Sequence, residues 1–284
     1  MNTLKLQDGR QLAYELFGRA KGRPVVFHHG TGDSRLARHP DERLITEAGV
    51  HLITVDRPGY GGSTPRPGRT LLDWVPDTVQ LADHLGLERF AVAAWSGGGP
   101  HALAVAHELG DRISNVVLAS PLGPFTAPGA LKTVHREYRM LWRLRWFKPL
   151  IRMAGRDEAK KARADIAAYA DNWAKEAPEL DRELFAMPPI REMLEQEMSE
   201  AFRQGAAGWL GDVFAFLNWG FELEDIHTSV EIFHGGADKI LFPAMGRSIA
   251  ERLPQGRFHL LPDEGHFCLF RHWVKILESA ALGQ

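Results

Sequence analysis

Ser96 is the residue around which chemistry is easiest to build. It sits in Ala94-Trp95-Ser96-Gly97-Gly98, after the apolar run that begins at Phe90. An amphipathic period follows, with Ala102, Val105, Ala106 and Leu109 on one face. A serine on such a strand-to-helix turn has a strained backbone and a presented hydroxyl, and it needs small residues two before and two after. Gly98 meets that need fully; Ala94 departs from the usual glycine of G-x-S-x-G but remains small. A hydroxyl is a weak nucleophile and requires a base. His266 follows the last β-rich run, in Pro262-Asp263-Glu264-Gly265-His266, and Asp238 follows the run before it, in Gly235-Gly236-Ala237-Asp238. The order Ser, Asp, His is a known triad order, in which Asp238 would orient the imidazole and His266 would carry the proton. Asp263 and Glu264 are rival acids, disfavoured because loop neighbours rarely reach the far ring nitrogen. A developing oxyanion needs two fixed N–H donors. Gly97 supplies one, and Thr31, in His29-Gly30-Thr31-Gly32, is the choice for the other. The competing reading is that these glycines serve only the turn.

These residues must be held by strands. Short apolar runs at 24–29, 50–55 and 90–94 each end in a loop of unusual composition, as expected of strands buried on both faces. Helical periods separate them, with Val75, Val79, Ala82 and Leu85 on one face. Further strands are expected at 115–119, 230–234 and 257–261, the last two followed by helices at 244–253 and 267–281. Alternating strand and helix predicts a doubly wound, mostly parallel α/β sheet with helices on both faces. The alternation breaks between about Pro121 and Asp225, where helical periods dominate. The expected organisation is a core of 1–120 plus 226–284, carrying a helical cap at 121–225.

Composition removes other classes. Lys plus Arg number 34 and Asp plus Glu 36, for a net charge of −2, which argues against nucleic-acid binding through a broad basic surface. With Cys268 as the one cysteine, no intrachain disulfide can form; it reads as a buried apolar filler. No apolar stretch approaches the roughly 20 residues of a membrane span. The start, MNTLKLQDGRQLAYELFG, has no apolar core after a basic segment, so no secretory leader is expected and a cytoplasmic setting is. No nucleotide motif is present: Gly97-Gly98-Gly99-Pro100 lacks the lysine of a P-loop.

Five motifs in order, His29-Gly30-Thr31, Asp56-Arg57-Pro58-Gly59-Tyr60-Gly61-Gly62-Ser63, Ala94-Trp95-Ser96-Gly97-Gly98, Gly235-Gly236-Ala237-Asp238 and Gly265-His266, span nearly the whole chain. In them the sequence resembles the α/β-hydrolase superfamily, in the serine branch with a helical cap after the sixth strand. The resemblance implies an eight-stranded sheet with the triad at its C-terminal edge, and a structural role for the Asp56–Ser63 turn. It does not name a substrate.

The leading expectation is a serine hydrolase that cleaves a small to medium carboxylic ester through an acyl-enzyme on Ser96, with no cofactor and no metal. Haloalkane dehalogenases and epoxide hydrolases of this fold use Asp at the elbow, and proline iminopeptidases carry Trp after the serine, whereas Trp95 precedes it here. Carbon–carbon bond hydrolases of ring-cleavage products are the alternative, then lactonase or thioesterase, with perhydrolysis as a side activity. The non-enzyme alternative is a hydrolase-fold binding protein. Five of eight tryptophans lie in the insert, and pocket walls are expected from Trp95, Trp142, Trp146, Trp173, Trp209, Phe214 and Trp219. His28 reads as a structural partner of the strand end and His101 as a surface or packing residue. Lys132 to Arg163 holds eleven basic residues against three acidic, and Glu176 to Glu200 holds eight acidic against two basic. The two stretches are expected to lie beside each other with solvated faces rather than to steer an anionic ligand.

Overall fold

The computed structural model describes residues 1–127, 129–175 and 177–282. Eight strands form one sheet: β1 Asn2–Lys5, β2 Gln11–Gly18, β3 Arg23–His28, β4 Val50–Val55, β5 Phe90–Trp95, β6 Ile113–Ala119, β7 Val230–Gly235 and β8 Gly256–Leu261. Their order is β1-β2-β4-β3-β5-β6-β7-β8. The two β2 pairings are antiparallel and the rest are parallel. β3 and β5 are central, so the His29–Gly32 and Ser96 loops leave neighbouring strand ends.

Alternation along the strands builds two cores. Val26, Ile53, Val55, Phe90, Val92 and Ala94 face one way, with α2 Val75–His84, α3 Gly99–Leu109 and α10 Pro243–Arg252. Val25, Phe27, Leu52, Ala91, Ala93 and Trp95 face the other, against α1 Glu42–Glu47 and α12 Trp273–Ala281. The period of two thus divides each of β3 to β7 between both cores. The short helix α1 and strands β1 and β2 carry no clear period in the sequence. The helix expected over 267–281 is divided into α11 Cys268–Arg271 and α12.

Between β6 and β7 the chain is helical: α4 Arg136–Arg143, α5 Lys148–Ala164, α6 Ile166–Lys175, α7 Glu179–Ala186, α8 Pro188–Ala201 and α9 Ala207–Ala215. Among the described residues no helix is long and apolar enough to cross a membrane.

One buried polar network ties this segment to the sheet. Asp212 of α9 accepts from Arg57 Nη2 at 2.6 Å and the Tyr60 hydroxyl at 2.9 Å, and it also pairs with Arg69. All four residues are buried. Two guanidinium groups hold the Asp212 carboxyl far below the usual carboxylate range despite burial. Arg57 also donates to the carbonyls of His29 and Gly30, the latter at 2.7 Å. Asp56, next to it, accepts from Arg35 N at 2.7 Å and Gly62 N at 2.9 Å. The Asp56–Ser63 turn therefore fixes the loop after β3 by hydrogen bonds.

The basic and acidic stretches of the helical segment do lie side by side, since α5 packs on α8. Three of these acids pair away from the basic helices, however. Glu197 accepts from Ser34, Glu200 from Arg35, and Glu183 from Arg271. Glu176 lies outside the described residues.

Asp212→Ala would leave two buried arginines without their counter-ion. A loss of about 3–5 kcal/mol in unfolding free energy is expected, the usual cost of breaking a buried pair. Urea denaturation followed by tryptophan fluorescence checks it; a loss below about 1 kcal/mol would contradict the tie.

Candidate active site

The geometry starts at the end of β5. Trp95 is still extended, at φ −124° and ψ 139°, while Ser96 turns to φ 53° and begins a short 3-10 turn, Ser96–Gly98, that runs into α3. A left-handed serine stores strain, and the surrounding packing must enforce it. Close approach of the loop after β3 does so. A Cβ at Gly98 would lie 2.3 Å from the His28 carbonyl oxygen, and one at Gly97 would lie 1.9 Å from Thr31 Oγ1. Glycine at 98 is therefore a steric requirement set by backbone, whereas a side chain at 97 would have to displace the Thr31 hydroxyl. The same contact sets Thr31 against the residue that follows Ser96.

His266 and Asp238 arrive on the loops after β8 and β7. His266 Nε2 is 3.0 Å from Ser96 Oγ, and its Nδ1 is 2.8 Å from Asp238 Oδ2. Asp238 Oδ1 accepts from the backbone N–H groups of Ile240 and Leu241 at 2.8 and 3.0 Å. His234 Nε2 stands 3.3 Å from Asp238 Oδ2. The two loops can touch because a Cβ at Gly235 would strike the Gly265 carbonyl at 2.1 Å, and one at Gly236 the Pro262 carbonyl at 2.2 Å. Burial opposes ionisation of Asp238, but His266 and His234 hold it far below the usual range. Burial likewise opposes the imidazolium of His266, and the Asp238 carboxylate outweighs it, so its pKa is raised. Asp263 is exposed, and Glu264 pairs with His272 at 3.0 Å; neither is bonded to the His266 ring.

The His266 loop has a second anchor. Asp181, on α7, accepts from the backbone N–H of His266 at 2.8 Å and of Phe267 at 3.2 Å. It is buried, and it packs so close to Gly265 that a Cβ there would lie 2.1 Å from its Oδ2. Burial pushes the Asp181 carboxyl up to about 6. The sequence singled it out only as one acid among eight.

A cavity over Ser96 and His266 is lined by Thr31, Gly32, Asp33, Trp95, Tyr138 and Tyr169, and further by Trp173, Met198, Ile240 and Phe267. Trp95 both lines it and donates its Nε1–H to the His266 carbonyl at 3.0 Å. Among the other rings expected there, only Trp173 reaches it. Trp142 packs on Phe125 at 5.6 Å, and Trp219 on Phe221 at 5.4 Å. Trp146 is 82% exposed, Phe214 lies under Arg152, and Trp209 packs against Gly155. Bulk marked these rings as packing residues but not which side of each helix meets the cavity. Tyr138 and Tyr169 carry no signal in the sequence, because nothing in their spacing sets them apart.

His28 is buried against Trp74 and pushed down to about 3 by burial, so it stays neutral. His101 is buried between Gly97 O and Arg69. Cys268 is buried beside Ser120, its thiol pushed up to about 12. Among the described residues no group of three His, Cys, Asp or Glu could hold a metal ion.

The family model described as alpha/beta hydrolase fold matches residues 23–272. The chain belongs to the alpha/beta hydrolase fold family. It is 34% identical over 113 residues to the uncharacterized hydrolase YcgS of Bacillus subtilis, covering 40% of this chain and 39% of that one. The chain thus spans about two fifths of the length of that relative. It is 23% identical to the pimeloyl-[acyl-carrier protein] methyl ester esterase of Aromatoleum aromaticum, over 79% of this chain and 84% of that one. A crystal structure of a bromoperoxidase from Bacillus anthracis superposes with a TM-score of 0.76 at 23% identity, over 99% and 98% of the two chains, which shows the shared fold.

The folded pKa of Asp181 lies above its unfolded value of 3.8. Its protonation therefore stabilises the fold below about pH 4, and this contribution is lost as pH rises through about 6. Asp181→Asn cannot ionise. Its stability relative to wild type should improve by up to about 3 kcal/mol between pH 4 and 8. Paired thermal unfolding across that range checks it; a difference that does not vary with pH contradicts the raised pKa.

Proposed function

We propose that the protein is a serine hydrolase of carboxylic esters, with Ser96 as nucleophile, His266 as general acid and base, and Asp238 as the group that orients and stabilises the imidazolium. The observation that carries this is the unbroken chain Ser96 Oγ, His266 Nε2, His266 Nδ1, Asp238 Oδ2, at 3.0 and 2.8 Å, on a left-handed elbow. The esterase similarity over 84% of that relative supports an ester as substrate.

In this scheme Ser96 Oγ attacks the ester carbonyl while His266 Nε2 takes its proton. The tetrahedral oxyanion accepts the backbone N–H groups of Gly97 and Thr31, which the steric contact between the two residues supports. The intermediate collapses, the carbon–oxygen bond breaks, and the alcohol leaves with the proton from His266. Water then attacks the acyl-Ser96 carbonyl, gives its proton to His266, and releases the acid as that proton returns to Ser96. Every proton and bond is handled by side chains and water, so the scheme uses no cofactor. The segment 121–225 acts as a cap that supplies Tyr138, Tyr169, Trp173 and Met198 to the pocket. The proposed setting is the cytoplasm, and the proposed partner is a small-molecule ester.

Ser96→Ala and His266→Ala should both fall by about 10³-fold or more in kcat, to a similar floor, since such groups act as a unit. Asp238→Asn should lose as much or less. The acid limb of kcat/KM should lie above the ordinary imidazole value of 6.5, because the base works only when deprotonated and Asp238 raises its pKa. In Asp238→Asn the limb should move to lower pH. Steady-state kinetics on a chromogenic acetate ester from pH 5 to 9 tests all of this. Near-native turnover by Ser96→Ala would overturn the reading.

A further inference from the structure

The cavity holds a carboxyl group for which ester hydrolysis has no use. Asp33, in the loop after β3, is 6% exposed and lines the cavity with Ser96 and His266. It crowds the same glycine as the nucleophile: a Cβ at Gly30 would lie 2.1 Å from Asp33 Oδ2 and 3.4 Å from Ser96 Cβ. Behind it stands Glu197 of α8, fully buried. Glu197 Oε2 accepts the Ser34 N–H at 3.0 Å, which leaves Oε1 facing the Asp33 carboxyl alone.

Two carboxyls in one low-dielectric site cannot both ionise easily, and they share a proton. Burial raises both, Asp33 to about 7 and Glu197 well above its usual range. Glu197 is fully buried while Asp33 borders the cavity, so the shared proton favours Glu197. The member that ionises is therefore the one facing the cavity. The charged groups around it are Glu197, Arg57, Asp212 and His266, with Asp56 behind Glu197. Arg57 is already spent on Asp212 and on the His29 and Gly30 carbonyls. Ionised Asp33 thus lacks a dedicated cation, and a buried unpaired charge is costly.

The rest of the wall suits a cation. Trp95, Tyr138, Tyr169, Trp173 and Phe267 are five aromatic rings around one small cavity. Ring faces are electronegative and attract ammonium groups, tryptophan most strongly. An acid backed by a second acid, within an aromatic enclosure, repels anionic substrates.

We propose that Asp33 and the rings around it form a recognition site for an ammonium group carried by the ester substrate. This names the substrate class for the reaction proposed above, and rests on that reading. The nearby carboxylate would disfavour the oxyanion if left unpaired, and a bound ammonium offsets it.

The test compares isosteric ester pairs that differ by nitrogen for carbon: acetylcholine against 3,3-dimethylbutyl acetate, and trimethylglycine methyl ester against methyl 3,3-dimethylbutanoate. The first pair carries the charge on the alcohol side, the second on the acyl side. In at least one pair the ratio of kcat/KM, cation over neutral, should rise about tenfold or more from pH 6 to 8. The His266 limb is common to both esters and cancels in the ratio. In Asp33→Asn the ratio should drop about tenfold at pH 8 and lose its pH dependence. The wild-type profile decides the matter even if that variant fails to fold. Ratios that ignore both pH and Asp33 overturn the ammonium site while leaving ester hydrolysis intact. Absence of Ser96-dependent turnover of any of the four esters overturns both readings.

Discussion

The backbone at Ser96 is the constraint on which the site depends. A non-glycine residue at φ 53° is held there only because the chain cannot relax on either side. On one side β5 is pinned between β3 and β6, in parallel register through Ala94 and Trp95. On the other side Gly97 and Gly98 press against Thr31 and the His28 carbonyl. The turn lifts the hydroxyl above the sheet edge, where loops from β7 and β8 can reach it. Parallel strands matter for this reason: their C-terminal ends lie on one side, so Ser96, Asp238 and His266 converge although 170 residues separate the first from the last.

The helical segment between β6 and β7 is bound into the same geometry by buried acids. Asp212 neutralises Arg57, which in turn holds the carbonyls of the loop carrying Thr31. Asp181 holds the backbone of His266 itself. Glu197 faces Asp33 on the loop beside Ser96. Each of these three carboxyls lies on a different helix, and each meets the loop after β3, β4 or β8. Directional hydrogen bonds to buried acids, which apolar packing lacks, fix the register of the segment. These three acids thus sit where the helices approach the sheet edge.

Much of this was legible in the sequence because it is local. The strands at 50–55, 90–95 and 230–235 show as short apolar runs, and the loops after them as glycine-rich punctuation. The elbow residues, Asp238 and His266 follow from strand ends and chain order. The pocket wall was not legible. Trp142 and Trp219 look no different in sequence from Trp173, and which of them meets the cavity depends on how each helix is rotated over the sheet. Asp33, Asp181 and Glu197 were equally hidden, since burial is set by contacts more than 80 residues away in sequence. A charge count sees Asp181 and Glu197 as part of a solvated face, and the fold turns them inward.

The proposed chemistry turns on one covalent event, transfer of an acyl group to Ser96 Oγ. Rapid mixing with p-nitrophenyl acetate, acid quench and intact-mass measurement reads it directly. The predicted result is a transient gain of one acetyl group, about 42 Da, a value set by the reagent's own chemistry. Peptide mapping should place it on Ser96, with no gain in Ser96→Ala. An adduct on another residue, or release of nitrophenol by wild type and Ser96→Ala alike, would contradict the account.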